Sequence, residues 1–206
     1  MKGDIALRVF KKILKIGGIL FLAVVLLSAV GFAYVLFGSN TKSTEDISYY
    51  RALSGETDGS DMMPVFSEEF DMPCPYDLPA LRALEPYLDY RFNYTAKRES
   101  VFQSHAYILI LSYDAEEYEA RKRTLETQYS YLEEIDEGIS GLYNMSGFTI
   151  RAVEGGDYPN EMLFVAVSDT RQEIGYIYYY DQDLDYIDDP LGKFLAENTG
   201  WNDIAE

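Results

Sequence analysis

Between Lys15 and Asn40 the chain reads KIGGILFLAVVLLSAVGFAYVLFGSN, and the 23 positions 16–38 contain no charged residue. As a helix rising about 1.5 Å per residue, such a run covers a hydrocarbon core of about 30 Å. It is apolar on every face and follows a basic N-terminus, which does not suit a helix buried in a soluble core. Two readings remain, a retained anchor and a cleaved leader. Lys11, Lys12 and Lys15 would serve as the basic flank of a leader, and Gly31-Phe32-Ala33 has cleavage-compatible small residues. Tyr34-Val35-Leu36-Phe37 nevertheless prolong the apolar run beyond the roughly 7 to 15 residues of a leader's core, which favours the anchor. No cysteine follows for lipid attachment.

Charge sets the expected orientation. Lys2, Arg8, Lys11, Lys12 and Lys15 precede the run, whereas only Lys42 and Arg51 follow closely, so the N-terminus is expected in the cytoplasm and the rest outside. Removing five basic residues and Asp4 from totals of 17 basic and 35 acidic leaves 12 against 34 in residues 39–206. That excess of acid opposes binding to nucleic acid or to anionic lipid, where lysine and arginine must displace counterions. Cys74 is the one cysteine, so no internal disulfide can form, and His105 is the one histidine.

Residues 1–15 therefore read as a cytoplasmic basic segment, 16–38 as a transmembrane anchor, 39–76 as a flexible tether rich in Ser, Thr, Asp, Gly and Pro, and 77–206 as one acidic domain. Within that domain, Asp77 and Pro79 suit the start of a short helix over residues 78–87, with Leu81, Leu84 and Leu88 inward and Pro86 as its end. YRFNYT alternates as a half-wet strand, and Tyr107 to Leu111 are apolar on both faces, as in a central strand. Asp114 and Glu117 form a capping-box pattern for a long amphipathic helix over residues 115–134, with Tyr118, Leu125, Tyr129 and Leu132 inward and Arg121, Lys122 and Arg123 as a basic collar.

After a glycine-rich break, strands are expected over residues 148–153, 162–167 and 173–180, joined by short turns. Asp189-Pro190 then opens a short closing helix to about residue 198. The predicted order α-β-β-α-β-β-β-α has no βαβ alternation. It indicates an α+β fold with a mainly antiparallel sheet of about five strands, one long amphipathic helix and short terminal helices, preceded by a transmembrane helix.

LEPYLDYRFNYT, FQSHAYILILSYDAEEYEARKRTLETQY and IGYIYYYDQDLDYI resemble stretches in small single-pass membrane-anchored proteins of Gram-positive bacteria. The resemblance covers most of the domain and implies the same topology. It brings no activity and no catalytic residue.

Several groups of residues can be weighed for chemistry. Asp181, Asp183 and Asp185 alternate like the start of a calcium loop, but Tyr186 stands where the loop needs glycine and Gly192 where it needs a bidentate glutamate. A solvated acidic turn accounts for them better. Tyr176, Tyr178 and Tyr180 share a strand face, which is a sugar-stacking or partner platform if exposed and core if covered. His105 has no nucleophile motif around it and suits packing at the start of the central strand. Asn93-Tyr-Thr95 and Asn144-Met-Ser146 match the glycosylation acceptor pattern, a short motif common by chance.

No catalytic, cofactor-binding or metal-ligating residue is assigned, and no cofactor is expected. The expectation is a membrane-anchored extracytoplasmic binding or interaction module. Its partners would be the membrane, through the N-terminal helix, and another envelope protein. The rivals are an exported hydrolase using a carboxylate pair and a structural accessory subunit.

Overall fold

The computed structural model describes residues 16–18, 20–33, 39–54, 56, 79–99, 102–158, 160–182 and 191. Contacts divide the chain into two compact units, Met1–Asn40 with Glu99–Val101, and Thr41–Arg98 with Phe102–Glu206. In the first, helix α1 (Ile16–Ala33) has a mean hydropathy of 2.5 and none of it is buried in the protein. It is long and apolar enough to cross a membrane, as an anchor or a leader sequence is.

The second unit is α+β and built on a mostly antiparallel sheet. Its elements are β1 (Ser39–Thr44), α2 (Ser48–Leu53), a 3₁₀ turn (Leu81–Leu84), β2 (Asp89–Glu99), β3 (Phe102–Ser112), α3 (Ala115–Gln128), β4 (Glu134–Asp136), β5 (Ile139–Ser140), β6 (Leu142–Met145), β7 (Phe148–Ala152), β8 (Glu161–Ser168) and β9 (Glu173–Asp181). Seven strands lie in the order β1-β2-β3-β9-β8-β7-β6, and β4 pairs with β5 in a separate hairpin.

The centre of the sheet is the β3–β9 ladder, with β8 on its other side. Tyr107, Leu109, Leu111, Tyr176, Tyr178, Leu163 and Val165 face one core, and Ala106, Ile108, Ile110, Ile177, Tyr179 and Phe164 face another. Burial on both faces is why these strands lack alternation in the sequence. Tyr118 and Leu125 of α3, Tyr50 of α2 and Leu81 and Leu84 of the 3₁₀ turn cover the first face. Leu132, Ile135, Tyr143 and Leu191 pack on the second.

Register is pinned at both ends of the β3–β9 ladder. Ser104 Oγ donates to Asp181 Oδ1 at 3.1 Å, and Ser112 Oγ donates to Glu173 Oε1 at 3.2 Å. Both pairs are directly opposed in register, and Asp181 and Glu173 are buried. Arg91 of β2 adds an ion pair to Glu173 at 2.8 Å. A one-residue slip would send every side chain to the opposite core and strand two carboxylates in apolar surroundings.

Four expectations need correction. Residues 39–76 are not a tether throughout, since β1 joins the sheet and Tyr50 is 0 % exposed. The Tyr50 hydroxyl donates to Pro79 O at 2.9 Å, and its ring meets Phe92 and Tyr107 edge-on. A six-residue polar strand and a six-residue helix are too short to show a period.

The long helix stops at Gln128 rather than near residue 134. Tyr129 is extended, Tyr131 bridges to Val153, and Leu132 N–H donates to Ala152 O at 3.0 Å. Strand-type pairing captures these residues, and Leu132 packs on the opposite face from Tyr118 and Leu125.

The glycine-rich break holds β5 and β6, and β6 together with β1 raises the main sheet from the five expected strands to seven. Ser146 and Gly147, at φ 50° and 77°, form a two-residue turn that sets Met145 opposite Phe148. Leu88, expected inward, is 72 % exposed, because the turn ends at Leu84 and the chain enters β2 at Asp89. The expected closing helix lies outside the described residues, apart from buried Leu191.

The outer side of edge strand β6 is partly closed by its neighbour. Ser140 Oγ accepts from Leu142 N–H at 3.0 Å and donates to Leu142 O at 2.8 Å, which withholds both groups from a foreign strand.

Gly141 tests this packing. A Cβ there would lie 2.1 Å from Leu132 O, a backbone atom that cannot turn aside. Gly141→Ala is expected to cost about 3 kcal/mol in denaturant unfolding. Gly138→Ala, at φ 79° in open space, should cost about 1 kcal/mol. Equal costs would contradict the clash.

Candidate functional site

The acidic turn does not assemble among the described residues. Asp181 is 1 % exposed and occupied as the register pin to Ser104, while Asp183 and Asp185 lie outside those residues. No group of three or more histidine, cysteine or acidic side chains able to hold a metal is found among the described residues.

The tyrosine face is core rather than platform. Tyr176 and Tyr178 are buried and Tyr180 is half-buried beneath the helical layer. Three tyrosines outside that face use their hydroxyls to bind backbone carbonyls. Tyr50 bonds Pro79 O, Tyr113 bonds Leu84 O at 3.1 Å, and Tyr131 bonds Leu125 O at 3.4 Å. Arg121 completes this arrangement by donating to Ala83 O and Glu85 O. Three successive carbonyls at the end of the 3₁₀ turn thereby find donors.

His105 lies within β3, directly opposite Tyr180 of β9. Its Nδ1 is 3.1 Å from the Tyr94 hydroxyl, with the Tyr94 ring stacked alongside. Burial lowers its pKa to about 4. Cys74 lies outside the described residues. Thr95 of the first glycosylation pattern is buried and donates to Asn93 Oδ1, whereas Asn144 of the second is exposed on β6.

Among the described carboxylates, Glu161 is the one whose pKa is raised. Burial raises its pKa, a hydrogen bond from Tyr178 at 3.0 Å lowers it, and Asp157 raises it.

What the sequence did not reveal is a cleft of about 230 Å³ between α3 and the β7–β8 part of the sheet. Lys122, Leu125 and Glu126 of α3 form one wall; Thr149, Arg151, Val165 and Val167 form the other, with Tyr131 and Asp169 beside them. Two ion pairs of opposite sense link the walls. Lys122 binds Asp169, which also accepts from Tyr118 at 2.6 Å, and Arg151 binds Glu126 at 2.8 Å. The bonds from Lys122 and Tyr118 hold Asp169 below the usual carboxylate range. Arg151 also stacks 3.7 Å above the Tyr131 ring, whose phenol burial pushes up to about 12. The cleft thus has an apolar floor, and its described charges are neutralised in pairs.

The signals were present but uninterpretable alone: Lys122 and Glu126 are four apart on a helix, and Thr149 and Arg151 occupy alternate positions on β7. Only the crossing of α3 over the sheet brings them together.

Compared with the models of known protein families, with curated proteins and with solved structures, the chain matches none.

The buried histidine makes stability depend on pH. An unfolded histidine binds its proton near pH 6.5 and the folded one near 4, so stability is lost as pH falls between those values. From about pH 7 to 5, the protein should lose about 2 kcal/mol that His105→Gln does not lose. Parallel pH profiles would refute the assignment.

For the acidic turn, millimolar calcium is expected to move the melting temperature no more than magnesium does. Tight calcium binding at about 100 times its dissociation constant would add about 2.7 kcal/mol. A calcium-specific rise abolished by Asp183→Ala would establish a metal site instead.

Proposed function

We propose that this protein is held in a membrane by α1 and displays its acidic α+β domain on the extracytoplasmic side, where it works as a binding module rather than as an enzyme. The observation that carries this reading is α1 itself, 18 residues at a mean hydropathy of 2.5 with no part buried in the protein. A helix so apolar needs an apolar partner, and the bilayer supplies one. The basic residues before it favour an inside N-terminus. The apolar residues after Ala33 favour retention over cleavage.

Binding is favoured over catalysis by how the reactive groups are used. His105 sits in the sheet beside Tyr94, and the described charges of the cleft are paired with one another. The cleft between α3 and the sheet is the binding site in this proposal. The excess of acid over base outside the anchor draws in partners that present a basic surface, and another envelope protein is the partner proposed.

The test has two parts. A membrane-impermeant thiol reagent applied to intact cells should label Cys74, the sole cysteine, and the product should fractionate with membranes. Labelling only after lysis would reverse the orientation, and a soluble labelled product would make α1 a cleaved leader. Capture of partners by the solubilised full chain should weaken from about 50 to 500 mM salt, over which the screening length shrinks about threefold. Salt-insensitive capture would point to an apolar structural contact. Turnover lost in Glu161→Gln would make the protein a hydrolase.

A further inference from the structure

The hold of α3 on the domain differs in kind from that of the strands beneath it. Of its fourteen residues, only Tyr118 and Leu125 are buried. Its other attachments are polar: the part-buried bonds from Tyr118 to Asp169 and from Tyr131 to Leu125 O, and several at the surface. Arg121 reaches the carbonyls of Ala83 and Glu85, Lys122 reaches Asp169, and Glu126 reaches Arg151. Asp169 and Glu126 are 68 % and 57 % exposed in their side chains, so water and salt compete for both pairs.

The backbone around α3 permits separate movement. The helix satisfies its amides internally, and Asp114 before it and Tyr129 after it are both extended. The chain is fixed again just outside these points, where Tyr113 N–H bonds Gln172 O and Glu154 N–H bonds Ser130 O. The β3–β9 ladder below is backbone pairing buried on both faces, and none of its hydrogen bonds passes through α3. Displacing the helix would therefore break none of the ladder's hydrogen bonds, while wetting the part of the face that Tyr118 and Leu125 cover. It would also widen the cleft into an apolar floor that contains Val165 and Tyr176.

We propose that α3 is a lid, which opens as one unit about Asp114 and Tyr129 and uncovers the tyrosine-bearing sheet face, and that its surface ion pairs hold it shut. The cleft is then the visible margin of a larger binding surface, for which the basic-surfaced protein partner proposed above competes with α3. This role in ligand access rests on reading the cleft as the binding site. The opening itself does not, and it can be measured with no ligand present.

The experiment is native-state amide hydrogen exchange on the full chain in detergent micelles. Amides of residues 118–128 should exchange as one block, faster than those of β3 and β9, and at least threefold faster at about 500 than at 50 mM salt. Lys122→Met combined with Glu126→Gln should accelerate that block at least threefold at low salt, reduce its salt response, and leave the strands unchanged. Exchange of α3 together with β3 and β9 would mean that it leaves only on global unfolding, and would overturn the lid. Salt-independent fraying from Gln128 alone would do the same. Loss of partner capture with block opening intact would instead discard the binding role and keep the lid.

Discussion

The antiparallel ladder of β3 against β9 is dry on both faces, and the remainder of the domain is arranged to keep it so. A backbone ladder in such surroundings has no water to fall back on, so its register must be right along its whole length. Serine–carboxylate bonds close it at both ends, Ser104 to Asp181 and Ser112 to Glu173, with Arg91 reaching in from β2. The two acids are buried because they are partnered across strands, and they convert a slippery apolar pairing into one that fits in a single way.

Tyrosine and arginine supply much of the polar attachment of what is laid on that slab. In a chain this acidic, arginine is scarce, and Arg121 spends its guanidinium on two carbonyls and on Glu117. Tyrosine suits the same task because its ring replaces water over the sheet while its hydroxyl finds a loop carbonyl. The richness in tyrosine is thus accounted for by packing. A surface platform is not required to explain it.

The layers differ in how much of themselves they bury. Strands β3, β8 and β9 bury nearly every side chain, whereas α3 buries two and relies on charge pairs for part of its placement. The cleft lies where this helix meets the sheet.

The sequence alone determined the features that depend on neighbours along the chain. The apolar run of α1, the Asp114 cap of α3, the two-faced strand through Tyr107 to Leu111 and the strands β7 to β9 were legible because periodicity and capping are local. Tertiary structure decided what local pattern cannot encode. Tyr50 lies in a polar stretch yet becomes core because β2 and β3 lie over it, and Tyr129 to Leu132 leave the helical period because β7 offers them backbone partners. The Lys122–Asp169 and Arg151–Glu126 pairs span 47 and 25 residues, so the cleft had no signature in the sequence. Such contacts follow from the direction in which α3 crosses the sheet. Packing of Tyr118 and Leu125 against it sets that direction, and no spacing within the helix specifies which strand residues they will meet.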